Sequence, residues 1–285
     1  MSRHEFAAMG TEWCVEADDG DLLKEAELIV RRAEQCLSRF DPASALSRLN
    51  RDRHVIDPTV AAVARAALHL RELTAGAFDP CVGARVREIG YDRTFSAIES
   101  PLVATVVPNR HALHVQIEAD QMCLHGDGDL DLGGIAKGWA VDGVLQWLLD
   151  NGARDAVVDG GGDIAAAGTS CIVGVGDHLV ANVAQRAVAT SSTRRRRWRA
   201  TFSDSAWGGA ELHHLIDPRT GWPTTSAIDT ASVIAADAAT ADALATAVMV
   251  NPDSLLPRLA SMHARAAVRG VDGAWWVTPN WEQNP

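Results

Sequence analysis

The segment Asp129-Leu130-Asp131-Leu132-Gly133-Gly134-Ile135-Ala136-Lys137-Gly138-Trp139-Ala140-Val141-Asp142 constrains the fold more than any other part of the chain. Alternating acidic and apolar residues predict a short strand that ends in a carboxylate, and the two glycines predict a turn. A helix is predicted over residues 134–151, closed by Gly152. Glycines let main-chain groups approach a ligand closely. A helix start offers free N–H groups and the positive end of the helix dipole, which suits a phosphate. Lys137 in the first turn could reach the same phosphate. An ordinary strand-to-helix turn with a solvated lysine has the same spacing.

Around this segment the chain mixes strands and helices without strict βαβ alternation, which favours an α+β fold. A strand is expected at residues 11–17 and a helix at 21–39, with Leu22, Ala26, Ile29, Val30, Ala33 and Leu37 on one face. Asp57 and Pro58 announce a second helix that leaves at Gly76. Short strands are expected at 102–107, 113–117, 156–159, 164–167, 171–175, 188–190 and 198–202. A strand at 230–235 leads into a helix at 238–250, and a short helix and two strands close the chain. No repeat, low-complexity tract or clear linker interrupts this order. A single domain over residues 1–285 is expected.

Composition excludes several function classes. With 47% hydrophobic and 22% charged residues the chain is globular rather than disordered. A net charge of -11 is a poor match for nucleic acid, whose phosphates call for Lys and Arg. The five cysteines are widely spaced without a CxxC pair, which disfavours zinc and fits free thiols in a reducing cytoplasm. Residues 1–11 contain no apolar run of signal-peptide length, and with no stretch of about 18 apolar residues no membrane span is expected. The run Arg194, Arg195, Arg196, Arg197 is the one basic exception. It suits a solvated strand with alternating faces, or a dock for an acidic partner.

Four more segments carry candidate chemistry. In Asp237-Ala238-Ala239-Thr240-Ala241-Asp242-Ala243-Leu244-Ala245-Thr246 the pair Asp242 and Thr246 shares a helix face and offers the oxygen ligands that magnesium prefers. A capped helix with Thr246 bonded back to its own backbone is the alternative. In His213-His214-Leu215-Ile216-Asp217-Pro218-Arg219-Thr220-Gly221 a histidine suited to acid–base work precedes a tight turn. The alternative is a surface turn with two solvated histidines, the reading adopted for His213. In Thr74-Ala75-Gly76-Ala77-Phe78-Asp79-Pro80 an aromatic ring beside a carboxylate could take a flat heterocycle, or Phe78 could be a buried anchor behind a helix end. In Asp159-Gly160-Gly161-Gly162-Asp163-Ile164 the glycines suit either a close ligand approach or a sharp bulge.

In this order the segments resemble the ApbE family of FAD:protein FMN transferases. Met9-Gly10-Thr11, Phe40-Asp41-Pro42-Ala43-Ser44-Ala45-Leu46-Ser47-Arg48-Leu49-Asn50 and Ala77-Phe78-Asp79 carry the first part of the resemblance. Asp131 to Gly138, Gly161-Gly162-Asp163, Thr190-Ser191, His214 to Gly221 and Asp242 to Thr246 complete it, so that it spans residues 9–250. Each motif is weak alone, and their joint presence in family order is strong.

The resemblance implies a T-fold-like α+β domain with two lobes and FAD in the cleft. It implies Mg2+ held by the Gly134 carbonyl, Asp242 and Thr246, and flavin contacts from Met9, Phe40, Ala77, Phe78, Asp79, Asp131 and Lys137. His214 matches the family histidine needed for transfer. Such enzymes attach FMN through its phosphate to a Thr or Ser of an acceptor protein and release AMP. A magnesium-dependent FAD pyrophosphatase would use the same residues, and a non-catalytic flavin-binding protein is the third reading. The chain departs from the pattern at Phe40, where many relatives have Tyr. It departs again at Thr190-Ser191-Ser192-Thr193-Arg194, where relatives often read Thr-Ser-Gly with a nearby Tyr.

Overall fold

Helix Ala238–Val250 is buried along almost its whole length, and its sequence explains how. Six of its thirteen residues are alanine, so neighbours can approach from all sides without large side chains intervening. Asp237 caps it, accepting the Thr240 amide at 2.7 Å. Helix Ala136–Asp150 packs against it so closely that a Cβ on Gly138 would lie 2.2 Å from the Ala238 carbonyl oxygen. Both helices pack against strands of the largest sheet.

In the computed structural model the chain is described at residues 1–98, 102–104, 111–168, 171–176, 179–184, 186–202, 210–279 and 281. At 102–104, 180, 201, 202 and 210 the description is of the backbone alone. Residues 105–107 of the expected strand at 102–107 lie outside the described residues. The architecture is α+β, and the chain forms two compact units, each from separate stretches.

The first unit takes Met1–Glu34, Gly133–Ser191 and Ala227–Pro285. Its eight-stranded sheet runs in the order Ser2–Ala8, Thr11–Ala17, Ala156–Asp159, Ile164–Ala167, Ala187–Ser192, Ile228–Ala235, Arg265–Gly270, Trp275–Val277. The first two strands form a hairpin with Ala8 opposite Thr11, so Met9 and Gly10 are its whole loop. Both have positive φ, 51° and 72°, as a tight primed turn requires. Methionine in that conformation is strained, by roughly 1–2 kcal/mol. The Glu34 carboxylate accepts the Met9 amide at 2.7 Å and helps to hold it. The core beneath joins Trp13 and Val15 of the hairpin to Val141, Val144 and Leu148 of helix Ala136–Asp150.

The second unit takes Gln35–Leu132 and Ser192–Ser226. Helix Pro58–Leu73 begins and ends as its sequence dictates. Asp57 accepts the Val60 amide at 2.9 Å, Pro58 opens the first turn, and Gly76 exits at φ 80°. A three-stranded sheet pairs His54–Ile56 and Leu113–Glu118 with Gln121–Gly126 between them. A second places Arg197–Phe202 between Ala210–His213 and Leu102–Ala104. Its core gathers Val86, Ile89, Tyr91, Trp198, Leu212 and Ile216.

One expectation is corrected by the structure. Residues 127–132 form no strand, because the preceding strand ends at Gly126. Their alternation has another cause. Leu130 and Leu132 are buried, while Asp129 pairs with Arg53 and Arg87, and Asn50 bonds both main-chain groups of Leu130 at 2.8 Å. The stretch from Phe40 to Ser44 is a loop. Ser44 caps a helix, Ala45–Asp52, by accepting the Ser47 amide at 2.9 Å.

Candidate functional site

In the first unit three charged side chains meet that are far apart in sequence. Lys137, second residue of helix Ala136–Asp150, places its ammonium against the Asp163 carboxylate and 3.3 Å from Asp242 Oδ2. Asp163 and Asp242 are 1% and 3% exposed. Unpaired carboxylates at such depth would be costly, so the ammonium is a structural necessity as well as a chemical asset. Burial and the Asp242 charge push the Asp163 carboxyl up to about 7, against the pull of Lys137 and the Thr190 amide.

Each member is placed by a local device. Asp163 follows the glycine turn that joins strands Ala156–Asp159 and Ile164–Ala167, where the Gly160 amide donates to the Asp163 carbonyl. Gly161 has φ 76°, and a Cβ there would lie 2.0 Å from Thr11 Oγ1. The glycine turn therefore packs against the start of the strand that follows Met9 and Gly10. Asp242 is held through its helix. The Asp142 carboxylate accepts the amides of Ala238 and Ala239 at 2.7 and 2.9 Å, two donors that no turn of the same helix can satisfy. Burial outweighs these bonds and pushes the Asp142 carboxyl up to about 6.

Thr246, one turn after Asp242, does not simply bond back to its own helix. Its Oγ1 lies 3.1 Å from Ser191 Oγ at the end of strand Ala187–Ser192. The adjacent Thr190 Oγ1 lies 2.7 Å from Ser232 Oγ. Gly134 stands in the turn two residues before helix Ala136–Asp150, the helix that carries Lys137. Among the described residues no group of three or more His, Cys, Asp or Glu side chains is arranged to hold a metal ion. Asp242 offers a buried carboxylate, and Thr246 and Ser191 offer hydroxyl oxygens, hard donors of the kind magnesium takes.

The second unit holds the aromatic part of the expected set. The Arg39 guanidinium lies 4.2 Å from the Phe40 ring centre and 4.3 Å from that of Tyr91. Its Nε is 3.3 Å from Asp131 Oδ2, so Phe40 and Asp131 are joined through Arg39. Tyr91 also meets His214 edge-on, with ring centres 6.3 Å apart. Neither Arg39 nor Tyr91 was singled out in the sequence. Tyr91 is the chain's only tyrosine, a signal that passed unused.

Ala77, Phe78 and Asp79 leave the end of helix Pro58–Leu73 as expected, but the Phe78 ring is 3% exposed and is the buried anchor. Asp79 caps Pro80–Val82 by accepting the Cys81 amide at 2.9 Å and pairs with Arg71 Nε at 3.0 Å.

His213 corrects a sequence expectation. It is 7% exposed rather than solvated. Its Nε2 donates to the Thr224 carbonyl at 3.0 Å and its Nδ1 accepts the Leu215 amide at 3.3 Å. That is the neutral ring, fully used, and burial lowers its pKa below 6.5. The following turn is as expected, with the Asp217 carbonyl accepting the Gly221 amide at 2.8 Å. The arginine run splits. Arg197 and Arg199 alternate with buried Trp198 and Ala200 on a strand, while Arg194, Arg195 and Arg196 form the turn before it.

The chain is similar to known proteins along most of its length. The profile of the ApbE family matches residues 9–268. A Treponema pallidum FAD:protein FMN transferase is 31% identical over 264 residues, covering 80% of this chain and 70% of that protein. A Vibrio cholerae protein of the same description is 27% identical, covering 82% and 74%. The crystal structure of an ApbE protein from Thermotoga maritima superposes with a TM-score of 0.82 at 25% identity, over 98% of this chain and 97% of that one. The flavin transferase ApbE from Vibrio cholerae shares the fold, with a TM-score of 0.77 at 23% identity and the same coverage of the two chains. With the family profile matched over nearly its whole length, this chain belongs to the ApbE family.

Proposed function

We propose that residues 1–285 act as one magnesium-dependent FAD:protein FMN transferase, which moves FMN from FAD onto a Thr or Ser hydroxyl of an acceptor protein and releases AMP. Family membership and the description shared by its curated relatives support flavin transfer. The observation that carries the finer reading is the buried Asp242 carboxylate, with an ammonium beside it and a hydroxyl pair one turn further along its helix.

In this reading the acceptor oxygen bonds to the phosphorus on the FMN side of the pyrophosphate. The bond from that phosphorus to the bridging oxygen breaks, and its electron pair leaves on AMP. The hydroxyl proton goes to His214. Lys137 neutralises phosphate charge from the first turn of its helix. The Gly134 carbonyl, Asp242 and Thr246 would hold Mg2+, which when bound supplies Lewis acidity to the phosphate oxygens. We assign Met9, Phe40, Asp131 and the segment Ala77, Phe78 and Asp79 to the flavin. Because the Phe78 ring is buried, its share is main-chain. Five free cysteines support a cytoplasmic setting. Among the described residues no helix is long and apolar enough to cross a membrane.

The test is incubation with FAD, Mg2+ and an acceptor peptide bearing one Thr, read by intact mass. Transfer gives the peptide plus FMN, with AMP in equal amount. FMN and AMP with unmodified peptide would instead mark a pyrophosphatase.

A further inference from the structure

Asp163 has no part in the proposed transfer, yet it is the most deeply buried carboxylate of the Lys137 cluster. The Lys137 ammonium touches it more closely than it touches Asp242. With both carboxylates ionised, they and the ammonium together carry a net charge of -1. A divalent cation would bring it to +1, a balance that phosphate can complete. With Asp163 neutral, the same cluster would be uncharged before the cation arrived and would carry +2 after it. The ammonium would also lose its anchor and could settle on Asp242, a carboxylate it also touches and the one assigned to the metal.

We infer that Asp163 is a positioning residue: it anchors the Lys137 ammonium and supplies the negative charge that lets this ammonium and a divalent cation share the neighbourhood of Asp242. The inference rests on the metal assignment made above. It explains why an acidic residue closes the glycine turn at a place no solvent reaches. The turn delivers Asp163 to the ammonium, and the strand after it fixes the carboxylate there. It also assigns Lys137 two tasks, phosphate contact and competition for Asp242, with Asp163 setting the balance between them.

The experiment is Mn2+ titration of the whole protein without FAD, read by electron paramagnetic resonance, with thermal unfolding confirming that each variant is folded. Asp163→Asn should weaken Mn2+ binding by about tenfold or more, because one charge is lost from a poorly screened site. Lys137→Met should tighten it by about threefold or more, because a competing like charge is removed. The double variant Asp163→Asn with Lys137→Met restores the net charge and should return to within about threefold of the parent. A purely structural role for Asp163 predicts no such rescue. Parent-like binding by Asp163→Asn, a double variant as weak as Asp163→Asn alone, or a Lys137→Met protein that binds no tighter would each overturn the inference. Asp242→Asn separates this from the metal assignment. It should abolish binding, and if it binds as the parent does, the metal assignment itself fails.

Discussion

Asp142 reaches from its own helix to the amide of Ala238, 2.7 Å away at the first turn of the next. A second bond to Ala239 at 2.9 Å uses its other oxygen, so one side chain satisfies two of the donors that a helix start leaves open. Since Asp242 lies four residues into that helix, Asp142 fixes the helix that carries the proposed metal ligand. Asp142→Ala should destabilise the protein by about 1–3 kcal/mol, the cost of leaving buried donors unmet. Asp142→Asn keeps one acceptor and should lose less. Urea unfolding of the two variants checks the order, and equal loss by both would show that hydrogen bonding is not the cause.

Asp242→Ala should remove magnesium-dependent activity. It deletes the one carboxylate assigned to the ion, and the Thr246 hydroxyl with a main-chain oxygen makes a poor site alone. Activity measured across a range of Mg2+ concentrations is the check. A variant with the parent's rate and the parent's Mg2+ requirement would remove Asp242 from the metal site.

Sequence alone exposed the elements whose signals are local. Strand Thr11–Ala17, strand Ala156–Asp159 and helix Ala238–Val250 match their expected bounds because alternation, glycine turns and the Asp237 cap all lie within a few residues. The edge strand Ser2–Ala8 and the helix Ala45–Asp52 were missed. The first has charged residues spread through it, and the second is short and mostly polar, so its few apolar residues, Ala45, Leu46 and Leu49, do not stand out. In the candidate site, Lys137 and Asp242 were legible from their motifs, but their approach to within 3.3 Å was not, because they stand 105 positions apart in sequence. Arg39 and Tyr91 escaped for the same reason. Their meaning depends on a contact across 52 residues, which no local pattern encodes. His213 and His214 were separable only in part. Adjacent residues on a strand point to opposite faces, but nothing in the sequence tells which face is core.

His214→Ala should bind FAD nearly as the parent does and turn over about 10²–10⁴-fold more slowly, as loss of a general base requires. His213→Ala should do the reverse of a neutral control. It leaves the Thr224 carbonyl and the Leu215 amide without their ring partner in a buried place, at a cost of about 1–3 kcal/mol. Its turnover per folded molecule should remain close to the parent's. FAD binding, single-turnover rates and unfolding curves on both variants separate the roles. Loss of FAD binding in His214→Ala would place that ring in the binding site rather than in proton transfer.

Gly138→Ala puts two effects in opposition. Alanine in a helix interior is favoured over glycine by roughly 1 kcal/mol. Here the new Cβ would stand 2.2 Å from the Ala238 carbonyl oxygen and 2.4 Å from its carbon, both of them main chain. Main chain cannot rotate aside as a side-chain end can, so the two helices must separate. Overpacking of this kind costs about 1–3 kcal/mol or more, and the net effect should be destabilising. A variant as stable as the parent in urea would mean that the helices are not in such close contact.

The protonation state of His213 makes the stability of the protein depend on pH. With Nε2 donating to Thr224 and Nδ1 accepting from Leu215, the folded protein holds the neutral ring. Burial penalises the charged ring, which is why the folded pKa lies below 6.5, and a proton on Nδ1 would turn an acceptor into a donor facing the Leu215 amide. Unfolded, the ring takes its proton at the ordinary value. As pH falls through 6.5, the unfolded chain therefore gains a proton that the folded one refuses. The contribution of His213 to stability is complete above 6.5 and is progressively lost below it, down to the depressed folded pKa. In His213→Gln the replacement does not titrate, so this share of the pH dependence should vanish. The stability gap between parent and variant should therefore narrow as the medium is acidified through that range. Urea unfolding at a series of pH values measures the gap directly, and a gap that stays constant or widens on acidification would show that His213 is not held neutral.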